Sequence, residues 1–368
     1  MWNVWRVNGM ITISLCMIVK NEEDVIERCL KSVKDIADEI IIVDTGSNDT
    51  TKEICRKFTD KIYNFRWNNS FSSARNYSFS KATKEYILWL DADDVILEED
   101  IEKFKNLKYY LENTVDIVMM KYNVGFDNNG NVTLSYYRER LLKRSSRFKW
   151  KEPVHEYLEI SGDIRNSDIC ITHKKEKINV SDRNLLIYKK IIYRGKELSP
   201  RGTFYFAREL YYNKKYNSAI KYFRKFLETK KGWVEDNINA CFNLSQCYDF
   251  VKDRKSMLRI LLKSFEYDNP RAEICCQIGY YYLQDADYEK AIFWYELATR
   301  IKKPENSWGF ISHDYFGYLP NIQLAVCYDK IGNLDEAIRC NDKAGEFKPN
   351  DEAVNYNRKY FEKILEAK

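Results

Sequence analysis

Between Ile11 and Leu90, short apolar runs alternate with stretches whose apolar residues recur at helical spacing, and the last run ends on a cluster of acids. No other feature limits the fold as much. Ile11–Val19 and Lys61–Phe65 fit strands, and Ile40–Val43 and Glu85–Leu90 fit strands buried on both faces. After the first, Val25, Ile26, Cys29, Leu30 and Val33 mark a helix. After the second, Thr45-Gly46-Ser47-Asn48-Asp49 is turn chemistry leading into another helix, with Ser47 or Asp49 as its N-cap. Phe71–Ala82 is a third helix. Strand followed by helix, repeated, predicts a mostly parallel, Rossmann-like α/β sheet. Asp44 and Asp91 then lie on the same C-terminal rim, where open sheets bind ligands.

The stretch EYILWLDADD places Asp91, Asp93 and Asp94 just past the fourth strand. Carboxylates this close repel one another, and a divalent cation relieves the repulsion; hard oxygen ligands suit Mg²⁺ or Mn²⁺. A solvated acidic turn is the alternative. The first strand is followed neither by G-x-G-x-x-G nor by a P-loop, which argues against NAD and against P-loop ATP hydrolysis.

A length of 368 residues suggests two or three domains. With 60 basic and 55 acidic residues the net charge is +5, so nothing points to nucleic acid or a membrane surface as partner. Ile11–Val19 is too short to span a bilayer and lacks a small-residue cleavage site. Met1–Met10 fits no element, and Met10 is a candidate start. Ten cysteines are scattered with no C-x-x-C, and several fall on apolar helical positions, as expected of reduced thiols in a cytoplasmic protein.

Beyond the acids, Ile101–Leu111 reads as a helix, and Val115–Tyr122 and Val132–Lys143 as hairpin arms around Asp127–Gly130. Arg138, Arg140, Lys143, Arg144 and Arg147 read as a solvated face, with one pyrophosphate contact as the alternative. Residues 11–178 form one domain and 179–368 a second. Ser181 opens a helix running to about Leu198. The chain then repeats: Gly279, Tyr282, Ala291, Tyr295 and Ala298 in one unit, and Ala325, Tyr328, Ala337 and Ala344 in the next. Ala207, Ala219 and Phe223, then Ser245, Tyr248 and Leu261, mark two degenerate copies. Small residues at such spacing let paired helices stack around a continuous core. An aromatic insert, Trp308–Tyr318, separates the last two copies.

CMIVKNEE, IIVDTGSNDTT, FRWNNSFSSARN and YILWLDADD, in that order, resemble family 2 glycosyltransferases of the GT-A fold, which use nucleotide-diphosphate sugars. WKEPVHEYLEI and the helical repeats are similar to a subgroup carrying tetratricopeptide (TPR) repeats, some of whose members glycosylate bacteriocin peptides. The resemblance implies a GT-A domain followed by TPR-like helices. The implied activity is metal-dependent, inverting transfer from a UDP-sugar to a peptide or protein side chain. It implies that Ile18 lies along the base, that Asp44 accepts from uracil, that Arg75 sits near the nucleotide, and that Asp91 and Asp93 form the D-x-D pair. Asp93 is then the direct metal ligand, and Asp94 faces sugar or acceptor. Glu156 is the expected general base, with His155 shaping the acceptor site or assisting the metal; Asp94 and Glu152 are alternatives for the base. His173 corresponds to a late metal-binding histidine, although Lys174-Lys175 stands where the subgroup carries Gly-Tyr.

Read alone, Asp44 is equally a helix-capping acid, and Arg75 a surface cation on an amphipathic helix. The repeats either offer a concave surface to a peptide or protein, or cap the catalytic domain or pair two copies as a homodimer. Alternative functions are a non-catalytic scaffold that binds nucleotide, transfer to a glycan or lipid carrier, and nucleotidyl transfer. The last wants a Gly-rich, Arg-containing loop that Cys16–Glu23 lacks.

Overall fold

The computed structural model describes residues 9–174, 182–304 and 308–367. Ser181, expected to open a helix, lies outside them. The chain forms two compact units. The first comprises the residues up to Lys190 together with a short segment ending at Ile311; the second runs from Ile191 to Glu305 and from Ser312 onward.

The first unit is built on one sheet. Its strands, in chain order, are β1 (Ile13–Val19), β2 (Glu39–Asp44), β3 (Ile62–Asn64), β4 (Tyr86–Trp89), β5 (Asp94–Ile96), β6 (Ile117–Phe126) and β7 (Val132–Lys143). A separate two-stranded ribbon, β8 (Trp150–Lys151) and β9 (Tyr157–Leu158), precedes β10 (Ile164–His173). The spatial order is β3-β2-β1-β4-β7-β6-β10-β5. β1 pairs in parallel with β2 and β4, whereas β7 is antiparallel to β4 and β6. The expected mostly parallel α/β sheet is thus the one observed.

Alternation explains the layers. Ile13, Leu15, Met17 and Val19 of β1 face the core built with α1 (Ile26–Val33) and Phe104 of α4 (Glu98–Tyr110). Cys16 points the other way, onto Ile41, Ile87 and Phe79. Phe79 closes α3 (Phe71–Phe79), which ends one turn earlier than expected, while α4 starts a turn earlier than Ile101. A short α2 (Thr51–Cys55) follows β2.

Glu39 ties the sheet's lower edge together. Its buried carboxylate accepts from the Ser14 hydroxyl, the Lys61 ammonium, and the Thr83 N–H and hydroxyl, the last two at 2.9 Å. Burial alone would raise its pKa; the bonds from Lys61, Ser14 and Thr83 bring it down to about 2 from an ordinary 4.5. A depressed carboxylate stabilises the fold above its unfolded pKa and loses that contribution as pH falls towards its folded one. Glu39→Gln is therefore expected to cost about 3 kcal/mol at neutral pH. Urea melts should show that gap narrowing between pH 4.5 and 2; a constant gap would contradict the assignment.

In the second unit, helices come in antiparallel pairs: α6 (Pro200–Tyr212) with α7 (Tyr216–Glu228), α8 (Val234–Phe250) with α9 (Arg254–Lys263), α10 (Ala272–Gln284) with α11 (Tyr288–Arg300), and α12 (Tyr318–Lys330) with α13 (Leu334–Phe347). α5 (Arg183–Tyr193) precedes them and α14 (Glu352–Glu366) follows. Each pair turns through one left-handed residue: Lys214, Lys252, Ala286 and Gly332. The next residue's N–H then reaches back to a carbonyl of the preceding helix, as Asp253 does to Tyr248 and Asn333 to Tyr328, both at 2.9 Å. This shared turn makes the two degenerate copies true members of the array. Ala207, Ser245, Ala291 and Ala325 are fully buried, and a Cβ on Gly279 would meet the Tyr295 ring at 2.9 Å. Among the described residues no helix is long and apolar enough to cross a membrane.

Candidate active site

In strand order the crossover direction reverses at β1 and β4, and a cleft of about 430 Å³ opens beyond their C-terminal ends. Two loops build its first wall. After β1, Asn21 takes a left-handed conformation, and its N–H donates to the Ser47 hydroxyl at 3.0 Å. The Glu22 N–H donates to Thr51 Oγ1 at 2.8 Å, the Asn48 N–H to Asn21 Oδ1 at 2.8 Å, and the Thr50 hydroxyl to Glu23 Oε2 at 2.7 Å. KNEE and SNDTT are therefore two halves of one hydrogen-bonded unit, brought together because β1 and β2 are neighbours with Val19 beside Asp44.

Asp44 is 2% exposed and accepts from the Gly46 and Ser47 N–H groups at 3.1 Å. Gly46, at φ +110°, lets the chain turn back over the carboxylate. Asp44 thus closes a turn rather than capping a helix, since α2 begins only at Thr51 with Thr50 as its N-cap; its neighbour Thr45 lines the cleft together with Ile18 and Trp67.

The opposite wall is charged. Arg75 is not a surface cation: it is 7% exposed and sits between the rings of Trp89 and Trp150, at 4.8 and 5.0 Å. Its Nη2 donates to Asp91 Oδ1 and its Nε to Glu156 Oε1, both at 2.7 Å. One guanidinium thus fixes two carboxylates of the cleft. Burial would raise the pKa of Asp91, but Arg75, and behind it Arg140, bring it down to about 2. His155 lines the cleft at φ +49° and stacks on Tyr188, and the Tyr188 hydroxyl donates to the Val154 carbonyl at 3.3 Å. Helix α5 thereby fixes the loop that presents Glu156.

Asp93, Asp94 and His173 offer ligand atoms that all lie within 4.8 Å of one another. The register explains why: β5 pairs with β10 so that His173 stands opposite Asp94. His173 Nδ1 lies 3.4 Å from Asp93 and 3.5 Å from Asp94. Burial alone would lower the pKa of His173; the hydrogen bonds and charges of Asp93 and Asp94 push it up to about 10. The group already favours positive charge, which is the test a cation site must pass.

The three residues differ in what they can offer. Asp94 is 0% exposed, with Oδ1 accepting from the Tyr122 hydroxyl at 2.8 Å and Oδ2 facing Arg140 Nη1 at 3.0 Å and the Asp91 N–H at 3.1 Å. It does not line the cleft. The expectation that Asp94 faces sugar or acceptor thus does not fit its position: both oxygens are occupied beneath the floor. Asp93 and His173 do line the cleft. One carboxylate and one imidazole, leaving positions for phosphate oxygens, fit Mg²⁺ or Mn²⁺.

The reading of Arg138 and Arg140 as a solvated face is also corrected. Tyr136 and Arg138 follow the alternation of β7, and Arg140 falls at a bulge in its pairing with β6. Arg140 is fully buried between Trp89 and Tyr122, at 4.0 and 4.3 Å, and Arg138 lies over Trp89 at 4.8 Å beside the cleft. Glu22, passed over in the sequence, lines the cleft with its pKa raised to about 7 by burial and then by Asp93 and Asp91. Its place directly after β1, facing the D-x-D rim, was the available signal.

Residues 14–161 match the family model "Glycosyl transferase family 2", and residues 272–304 match "Tetratricopeptide repeat". The first unit is a family 2 glycosyltransferase domain. Similar proteins include a TPR repeat-containing protein of Synechococcus elongatus, 25% identical over 87% of this chain and 74% of its own length. The SPbeta prophage-derived glycosyltransferase SunS of Bacillus subtilis is 27% identical over 73% of this chain and 65% of its own length. An uncharacterized glycosyltransferase of Rickettsia typhi is 32% identical over 30% of this chain and 40% of its own length. The glycosyltransferase domain carries the cleft, and the second unit carries the repeats.

Proposed function

We propose that this chain is a metal-dependent, inverting glycosyltransferase that takes a sugar from a UDP-sugar to a peptide or protein side chain. The observation that carries this reading is the Asp93–Asp94–His173 group, set beside the Arg75-bridged pair Asp91 and Glu156 in one cleft. Asp93 and His173 would hold Mn²⁺ or Mg²⁺; when bound, the ion offsets the charge that develops on the departing diphosphate. Asp94 is better suited to position than to react, since Arg140 and Tyr122 hold it and it orients His173 in turn. Ile18, Thr45 and Trp67 line the end of the cleft suited to the base, and Asp44 stiffens the turn beneath them.

Inversion needs one base, on the face of the sugar opposite the leaving group. Glu156 lines the cleft, whereas Glu152 and Asp94 do not, which supports Glu156 in that role. Arg75 holds its Oε1 side and so orients the carboxylate. His155 completes the wall beside it. The repeats support a peptide or protein acceptor, since stacked helical pairs commonly bind extended chains. The ten free thiols accord with a cytoplasmic location.

Calorimetry with UDP and GDP, each with and without Mn²⁺, tests the donor assignment. UDP is expected to bind at least about tenfold more tightly with metal than without, and more tightly than GDP. Equal affinity with and without Mn²⁺ would exclude the metal clamp, and tighter GDP binding would exclude the uridine donor.

A further inference from the structure

Phe310 is far from the site in sequence, between α11 and α12, yet residues 308–311 belong to the first unit. β4 pairs only with Leu141, Leu142 and Lys143 of β7, and its chain then leaves the sheet at the acidic rim. The longer β7 runs on past that point, leaving an edge that β4 does not cover. Strand β11 (Ile311–Ser312) pairs with β7. Ile311 is buried, and the Trp308 indole N–H donates to Asn166 Oδ1 at 3.4 Å.

This arrangement sets the Phe310 ring edge-on to Tyr136, with centroids 4.6 Å apart. Tyr136 lines the cleft and meets Tyr122 at 5.5 Å, and Tyr122 meets the His173 ring at 5.9 Å. The row of rings lies across β4 from Ile18, Thr45 and Trp67. If the base occupies the latter end, Tyr136 walls the end where sugar and acceptor meet. We propose that Phe310 is a positioning residue for transfer: it braces Tyr136 from behind, so that a segment inserted in the repeat region sets the shape of the acceptor side of the cleft. The functional half of this inference rests on the donor reading above; the bracing half does not.

The test uses the full chain as wild type, Phe310→Ala, Phe310→Leu and Phe310→Tyr. The first arm is nitration of tyrosines by tetranitromethane, mapped by mass spectrometry. Tyr136 is expected to react several-fold faster in Phe310→Ala than in wild type, and at the wild-type rate in Phe310→Tyr. The second arm uses Mn²⁺ with UDP-glucose, UDP-galactose and UDP-N-acetylglucosamine, water serving as acceptor. The anomeric carbon–phosphate oxygen bond breaks, a carbon–oxygen bond to water forms, the proton passes to the base, and UDP leaves. Phe310→Ala is expected to lower kcat about tenfold while the Kd for UDP stays within about twofold, with Phe310→Tyr restoring turnover. Phe310→Leu, which keeps apolar bulk without the ring, should fall between and serves if the alanine variant does not fold. Unchanged nitration of Tyr136 overturns the proposal. So does unchanged kcat, or a loss of UDP affinity as large as the loss of turnover. If wild type turns over none of the three sugars, the donor reading fails instead, and the nitration arm alone decides whether Phe310 braces the wall.

Discussion

Arg75→Ala is expected to cut sugar transfer at least about hundredfold and to destabilise the first unit by about 3–5 kcal/mol. The reason is that one buried cation holds two acids, Glu156 nearly buried and Asp91 open to the cleft. Asp91 and Glu156 each take a 2.7 Å hydrogen bond from the same guanidinium, which Trp89 and Trp150 flank. Without it the two acids lose their common partner and the rings their filling. Arg75→Lys keeps the charge, but an ammonium lacks the fork that spans two carboxylates and stacks on indoles. It should retain most of the stability yet lose about tenfold or more in kcat. The resemblance to family 2 enzymes put Arg75 near the nucleotide; the geometry gives two of its donor groups to acids of the cleft. The two roles separate experimentally. If Arg75 orders Glu156, Arg75→Lys lowers kcat and leaves the Kd for UDP nearly unchanged. If it contacts the nucleotide directly, Kd rises in step. Urea melts alongside both measurements would keep a folding defect from passing as a catalytic one.

What the sequence made legible follows from how local each signal is. Four strands and a D-x-D rim could be read because a run of apolar residues and a turn carry their own signature. Asp94 could not be told from Asp93, because both are acids in one turn. Only the start of β5 at Asp94, opposite His173 and over Arg140, makes one a buried anchor and the other a ligand candidate. Arg138 and Arg140 looked solvated because arginine usually is. β7 lies inside the sheet, and its arginines are accommodated by Trp89 and Tyr122, partners that no local pattern reveals. The lacing of KNEE to SNDTT likewise depends on the neighbouring of β1 and β2. The degenerate repeats were visible through their small residues, but the shared left-handed turn was hidden, since Lys214 and Lys252 stand where Gly332 does in the last pair. Phe310 was visible only as part of the aromatic insert and not by what it touches, because its partner Tyr136 sits on a strand far away in the chain.

Asp93→Asn is expected to abolish the metal dependence of UDP binding and to lower transfer by about 10²–10³-fold, without unfolding the protein. The substitution is nearly isosteric and the side chain is 24% exposed, but it removes one of the two acids that hold His173 protonated, so a loss of about 1 kcal/mol is expected at neutral pH, well below the cost at Asp94. Chemically it replaces the one acid of the cluster that faces the cleft and is not consumed by a buried cation. Asp94→Asn offers the contrast. Its carboxylate is fully buried against Arg140, so neutralising it leaves that guanidinium without its countercharge and should cost about 3 kcal/mol or more in stability. The two substitutions, one residue apart, should therefore fail differently: Asp93→Asn folded, inactive and indifferent to Mn²⁺, and Asp94→Asn weakened first in its fold. Melts in urea, with UDP calorimetry at several Mn²⁺ concentrations, separate the two patterns. If Asp93→Asn still bound UDP in a metal-dependent way and turned over normally, the ion would have to be held elsewhere. The repeats would then be the better place to look for what this chain does, because the scaffold alternative keeps partner binding after the acidic rim is disabled.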